Sequence, residues 1–157
     1  MDNLSHFLFG YILLGNRINI ILILLFSNLP DIISLPFKIY YTFIVEKKKK
    51  LTEIVKWDPS TDYLKIYRFA HSLFFCLLIG VILSLFTDQY LLLVGCMASH
   101  IFLDMFTHSG KWGTRLFYPF SDFHLNSFNW FCGRKSLIVY IFISILIFSV
   151  AALRFIL

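Results

Sequence analysis

Residues 69–106 read FAHSLFFCLLIGVILSLFTDQYLLLVGCMASHIFLDMF. Two apolar runs, Phe69–Phe86 and Gln89–Phe106, flank the short polar break Thr87-Asp88. A membrane-spanning helix needs about 20 mostly apolar residues, because the hydrocarbon core is roughly 30 Å thick and each helical residue rises about 1.5 Å. Both runs are near that length, and the break between them has room only for a tight turn. The pair therefore predicts an antiparallel transmembrane hairpin. Ser60-Thr61-Asp62 offers an N-cap for its first helix.

Outward from the hairpin, Leu137–Leu157 is a third run of spanning length with one charge, Arg154. The N-terminal run Phe7–Leu29 is different. As one helix it would place Asn16, Arg17 and Asn19 at mid-membrane, where an arginine alone costs about 2.5–3.5 kcal/mol. Gly15-Asn16 also reads as a helix stop. A helical hairpin folding back near residues 16–19 avoids that cost. Its arms, about 18 Å each from the helical rise, are too short to span, so it would be re-entrant and packed on other helices. The start of the chain lacks the basic n-region and cleavage site of a secretory signal, so the first segment reads as part of the mature protein.

Composition agrees with a membrane solvent. Of 157 residues, 59% are hydrophobic and 15% charged, with 19 phenylalanines. A soluble domain averages about 45–50% and about 25%. The formal net charge of +5 lies in loops beside apolar runs, which favours anionic lipid headgroups over nucleic acid as the partner. Of the 14 Lys and Arg residues, 12 fall in two segments, Ile32–Arg68 and His108–Lys135, and the turn between them has none. The expected location is the cell's inner (plasma) membrane, and the positive-inside rule puts both segments on its cytoplasmic side. The run Lys47–Lys50 reads as a solvated, topology-setting face. Cys76, Cys96 and Cys132 have no paired spacing and read as small packing residues.

The chain thus reads as one all-α integral membrane domain, with three spanning helices and an N-terminal helical hairpin. Its parts are the hairpin 1–31, a basic interfacial segment 32–68, a transmembrane hairpin 69–106, an aromatic interfacial loop 107–135 and a C-terminal helix 136–157.

The polar residues can be placed by depth. His71 lies 16 residues before Thr87, and Asp104 lies 16 after Asp88, so antiparallel helices put both at one level. His100 and Asp104, four apart, share a helix face. If the first hairpin folds around residues 18–19, His6 and Asp31 are mirror positions and return to the same membrane face. Three imidazoles and two carboxylates suit Zn²⁺ best, or Mn²⁺ or Fe. His71, His100 and Asp104 are the expected core ligands, with His6 and Asp31 completing the site. Plainer readings compete: an intramembrane histidine can be an interhelical contact, and Asp31 after Pro30 can be a helix-capping residue. Asp104 favours function, since an ionisable residue inside a span is a functional candidate by default.

Several blocks resemble the YdjM-like family of predicted membrane-bound metal-dependent hydrolases. Ser5-His6-Phe7-Leu8-Phe9-Gly10 is similar to that family's His-x-x-x-Gly block, and Leu29-Pro30-Asp31-Ile32 to its Pro-Asp-Ile-Asp block. Ala70-His71-Ser72 matches the end of its His-Arg-Gly-x-Thr-His-Ser block. Residues Ser99 to Gly110 match its most specific block, and Tyr118-Pro119-Phe120-Ser121 the Trp/Tyr-Pro-Phe-Ser that follows. Ile33 stands in place of a second acidic residue, Tyr67 in place of an upstream histidine and Ala70 in place of threonine, so two of the family's potential ligands are missing.

The resemblance implies a metal-dependent hydrolase. His108 or His124 could serve as general acid or base, although His124 also reads as a plain loop residue. The loop's Trp112, Phe117, Tyr118, Phe120, Phe123, Phe128, Trp130 and Phe131 suit the headgroup level, where Lys111, Arg115 and Ser121 could hold a phosphate. A phosphoester in a lipid or other membrane-associated substrate is the expected class. The alternative is a non-enzymatic multi-pass protein, a transporter subunit or scaffold, whose polar cluster is a packing network.

The charge asymmetry makes a testable prediction. In Lys49→Cys and Asp88→Cys, a membrane-impermeant thiol reagent should label the two positions from opposite sides, the first from the cytoplasm. Labelling from one side would refute the topology.

Overall fold

The computed structural model describes residues 2–47, 59–125 and 134–156, which are helical with no strand. Helix α1 spans Asn3–Leu14 and starts on Asp2, whose carboxylate accepts from the Ser5 N–H at 2.9 Å and the Ser5 hydroxyl at 2.8 Å. These bonds satisfy donors that a helix start otherwise leaves open. The chain turns at Gly15, and Asn19 caps α2 (Ile20–Ser27) by accepting from the Ile21 N–H at 2.8 Å. Asn16 and Arg17 are exposed in the turn, so the hairpin forms and the buried-arginine cost is avoided. Gly10 meets Ser27 across it: a Cβ on Gly10 would sit 2.1 Å from Ser27 Oγ. Positions 10 and 27 are symmetric about residues 18–19, the fold point read from the sequence.

The chain bends by 48° at Asn28 and continues as α3 (Leu29–Ile39), followed by a π-helical turn, Tyr40–Val45. Pro30 is tolerated because first-turn N–H groups have no helical partner. The segment read as basic and interfacial is therefore helical as far as Val45, while Lys48, Lys49, Lys50 and Lys56 lie outside the described residues.

The run Phe69–Phe86 is not one helix, which corrects the simple reading of its hydropathy. Ser60 caps a separate helix, α4 (Thr61–Ala70), by accepting from the Tyr63 N–H at 3.3 Å. The chain then bends by 53° and restarts as α5 (Leu73–Ser84). Ser72 makes the break. Its hydroxyl donates to the Phe69 carbonyl at 2.7 Å and accepts from the Phe75 N–H at 3.1 Å, ending one helix and capping the next.

Helix α6 (Tyr90–Thr107) is the centre of the bundle, in contact with α1, α2, α3 and α5. Met97, Cys96 and Ile101 are essentially inaccessible along it. Cys76 and Cys96 are buried free thiols within the apolar clusters, as packing residues should be, and Cys132 lies outside the described residues. Helix α7 (Arg134–Ile156) packs along α1. Tyr140 donates to Asp2 near one end, and Arg154 donates to the Ile12 carbonyl near the other, with its guanidinium 5.9 Å from the Tyr11 ring centre. The one charge in that apolar run thus meets a carbonyl and a ring inside the protein.

Tyr90–Thr107 and Leu137–Arg154 are each long and apolar enough to cross a membrane, and the bent pairs α2–α3 and α4–α5 raise the count to four if each is one span. Leu77, Val81, Leu91 and Phe142 are each 67–68% exposed. So much outward-facing large apolar surface fits a lipid solvent and not water.

The tight α1–α2 contact is testable. Gly10→Leu should lower thermal stability in detergent by about 1–3 kcal/mol, as overpacking does. Gly95→Ala, with its nearest neighbour 3.4 Å from the added carbon, should be tolerated. Equal melting temperatures for the two variants would contradict this packing.

Candidate metal centre

Each of the four helical segments that meet at one end of α6 delivers a polar side chain to the same place. His6 comes from the first turns of α1, held in line by the Asp2–Ser5 cap. Asp31 comes from the first turn of α3, where Asn28, not Asp31, is the cap residue. His71 is the residue on which α4 ends, at the break before α5. His100 and Asp104 stand one turn apart on α6. The three histidines and Asp104 are 0–2% exposed, whereas the Asp31 side chain is 31% exposed and marks the accessible side.

The distances converge on Asp104. His6 Nε2 lies 3.2 Å from Asp104 Oδ1, His100 Nε2 3.3 Å and His71 Nε2 3.7 Å from Oδ2. Asp31 closes the other side, with Oδ1 3.3 Å from His71 Nε2 and Oδ2 4.0 Å from His100 Nε2. The His6 and His100 rings stack with centres 3.7 Å apart. Two triads of ligand atoms result, His6–His100–Asp104 and Asp31–His71–His100, each within 4.8 Å of one another and sharing His100.

The backbone fixes which ring nitrogen faces inward. His71 Nδ1 donates to the Tyr67 carbonyl at 2.9 Å and His100 Nδ1 to the Ser27 carbonyl at 2.7 Å. A carbonyl can only accept, so both Nδ1 atoms carry hydrogen, and in a neutral ring Nε2 then presents its lone pair. The Nε2 atoms of His6, His71 and His100 are buried without a hydrogen-bond partner. A lone pair aimed at a carboxylate repels it unless a proton or a cation lies between them. Metal-binding histidines commonly anchor their second nitrogen on a backbone carbonyl or carboxylate in this way. Ligand atoms around a tetrahedral ion at about 2.0–2.1 Å stand roughly 3.3 Å apart, close to most of the separations given above. The donor set therefore fits a divalent cation.

All five expected ligands meet here. His108, expected as an acid or base, lies beside them, with Nδ1 3.0 Å from Asp104 Oδ1 and 15% of its side chain exposed. Thr107 Oγ1 donates to the Leu103 carbonyl at 3.0 Å and lies 3.2 Å from His108 Nδ1. His124 instead contacts Arg115 and the Asp122 carbonyl. Phe117, Phe120 and Phe123 are exposed aromatic surface, while Phe128, Trp130 and Phe131 lie outside the described residues.

Sequence reasoning missed the supporting shell. Tyr67 stacks on the His71 ring with centres 4.0 Å apart, and Trp112 meets Tyr67 edge-on at 5.2 Å. Ile33 packs against the apolar cluster of Phe75, Cys76, Met97 and Ile101. The two departures at potential ligand positions, Ile33 and Tyr67, thus make apolar and ring contacts. The stop at Ser72 had a signal, a serine opening an apolar run, but the Ser27 and Tyr67 carbonyls had none.

Fold and site together define a multi-pass all-α membrane protein with a buried His/Asp cluster at the end of its central helix. The chain belongs to the YdjM inner membrane protein family, whose model matches residues 1–156. No curated protein and no solved structure matches the chain.

Proposed function

We propose that this protein is a membrane-bound metal-dependent hydrolase whose metal, zinc first and manganese or iron next, is held by His71, His100 and Asp104 together with His6 and Asp31. One observation carries the reading: three buried imidazole nitrogens without hydrogen-bond partners face two carboxylates at ligand-to-ligand separations. A divalent ion at such a site lowers the pKa of a bound water and polarises the bond to be cleaved. The protein's own groups do the rest. Asp104, central to the cluster, counters the ion's charge, and the two carbonyl-anchored rings keep their Nε2 atoms aimed inward. His108, whose Nδ1 is within hydrogen-bond reach of Asp104 and whose side chain is partly exposed, is the candidate to take up or give a proton. Asp31, the most exposed of the five, marks the side from which substrate enters.

The substrate class is a phosphoester of a lipid or another membrane-associated molecule. The exposed aromatic loop suits the headgroup level and carries basic residues. The positive-inside distribution supports a cytoplasmic site, with anionic lipids around the basic segments.

Metal analysis of the purified protein, followed by a screen of lipid phosphoesters, tests this. The wild type should retain divalent metal, and Asp104→Asn, nearly isosteric but uncharged, should lose most of it while staying folded. His71→Ala and His100→Ala should do the same. His108→Gln should keep the metal and lose about 10²–10⁴-fold in turnover. Unchanged metal content in all three ligand variants would make the cluster a packing network and favour a non-enzymatic transporter subunit or scaffold.

A further inference from the structure

Arg68 is a half-buried cation with no part in the proposed chemistry. Arg68 sits in the last turn of α4, one turn before His71. Its Nε is buried and has no hydrogen-bond partner, and no carboxylate pairs with it among the described residues. A cation at a helix C-terminus gains about 0.3–1 kcal/mol from the dipole. That accounts for a basic residue there, but not for a buried nitrogen without a partner.

The loop after α6 carries a second guanidinium to the same break. The Leu73 N–H donates to the Leu116 carbonyl at 2.9 Å, and the Phe74 and Phe120 rings meet at 5.4 Å. Arg115, next to Leu116, is only 8% exposed. Its Nη1 donates to the Asp122 carbonyl at 2.8 Å and touches the His124 ring, and its Nε lies 3.1 Å from the Asp122 carboxylate. Burial, and after it the charge of Arg68, pulls the Arg115 guanidinium below its ordinary range. Arg68 and Arg115 thus flank the same break, where the Asp122 carboxylate partners Arg115 alone of the two and has a side chain 79% exposed. Thr114, beside Arg115, adds a buried hydroxyl with no hydrogen-bond partner. The pair is short of an anion, and guanidinium groups bind tetrahedral oxyanions in a bidentate manner.

We propose that Arg68 and Arg115 bind the substrate's phosphate group at the α4–α5 break, Arg68 as the free arm and Arg115 as the arm held by Asp122. That the phosphate belongs to a hydrolysed substrate rests on the hydrolase reading; that the pair binds phosphate does not. The group could be a lipid headgroup or the phosphate of a soluble molecule, since the recognition chemistry is the same.

Calorimetric titration of inorganic phosphate into the full chain in detergent tests this, with metal-loaded and chelator-treated samples. Arg68→Gln should weaken phosphate binding by about 10–100-fold, the loss expected for a charge-assisted hydrogen bond. Metal content and helical circular dichroism should not change. Arg68→Lys keeps the charge but loses the fork, and should fall between the two; it also serves if Arg68→Gln does not fold. Binding equal to wild type in both variants overturns the proposal. Arg68-dependent binding in a protein that holds no metal would uphold the anion site while the hydrolase reading fails. Repeating the titration in nanodiscs containing phosphatidic acid distinguishes the sources. Competition by that lipid assigns the site to a headgroup, and its absence to a soluble phosphate; either result requires the Arg68 dependence.

Discussion

The structure is organised around Asp104, a carboxylate buried in a bundle whose outer surface is built for lipid. Its side chain is only 2% exposed, and an unpaired charge in such surroundings is expensive. Four imidazoles surround it, from His6, His71, His100 and His108, at 3.0–3.7 Å, a grouping that leaves room for a cation to balance its charge. The fold can be followed outward from this requirement. The Asp2–Ser5 cap sets the start of α1 and so places His6. The Gly10–Ser27 contact closes the hairpin, and the Ser27 carbonyl then orients His100. The Ser72 break turns α4 away from α5 and leaves His71 at the corner, with its Nδ1 on the Tyr67 carbonyl. In lipid, helices gain little from apolar contact with one another, so polar contacts and small residues such as Gly10 determine how they meet.

Much of this could be read from the chain. The cost of Arg17 at mid-membrane predicted the hairpin, and counting residues from Thr87-Asp88 and from the first fold placed five polar residues at one level. Those inferences succeed because helical rise is regular and charge in lipid is strongly penalised. What escaped had a different character. The run Phe69–Phe86 is apolar throughout, and hydropathy cannot register a 53° bend made by one serine hydroxyl. The carbonyl partners of His71 and His100 are backbone atoms, which leave no trace in residue identity. Arg68 reads as one more basic residue ahead of a span, and it is the docking of the loop on Leu73 that brings Arg115 to the same break.

The departures at Ile33 and Tyr67 bear on the chemistry. Ile33 completes an apolar cluster under α6, and Tyr67 covers the His71 ring with Trp112 behind it. Aromatic packing of this kind restricts the ring and shields the site from water, which strengthens electrostatic interactions within it. The remaining donors still form two triads through the shared His100, so a group of donors able to hold an ion persists without those two positions.

We propose that the three Nε2 atoms and two carboxylates surround a metal ion and are not a hydrogen-bonded packing network. X-ray absorption at the metal edge of the protein as purified from membranes addresses it most directly. A bound ion should show nitrogen and oxygen neighbours at about 2.0–2.2 Å, with the more distant scattering of imidazole rings and no sulfur. A protein purified without chelator that carries no stoichiometric metal, or a metal whose first shell holds sulfur and lacks imidazole, would contradict it.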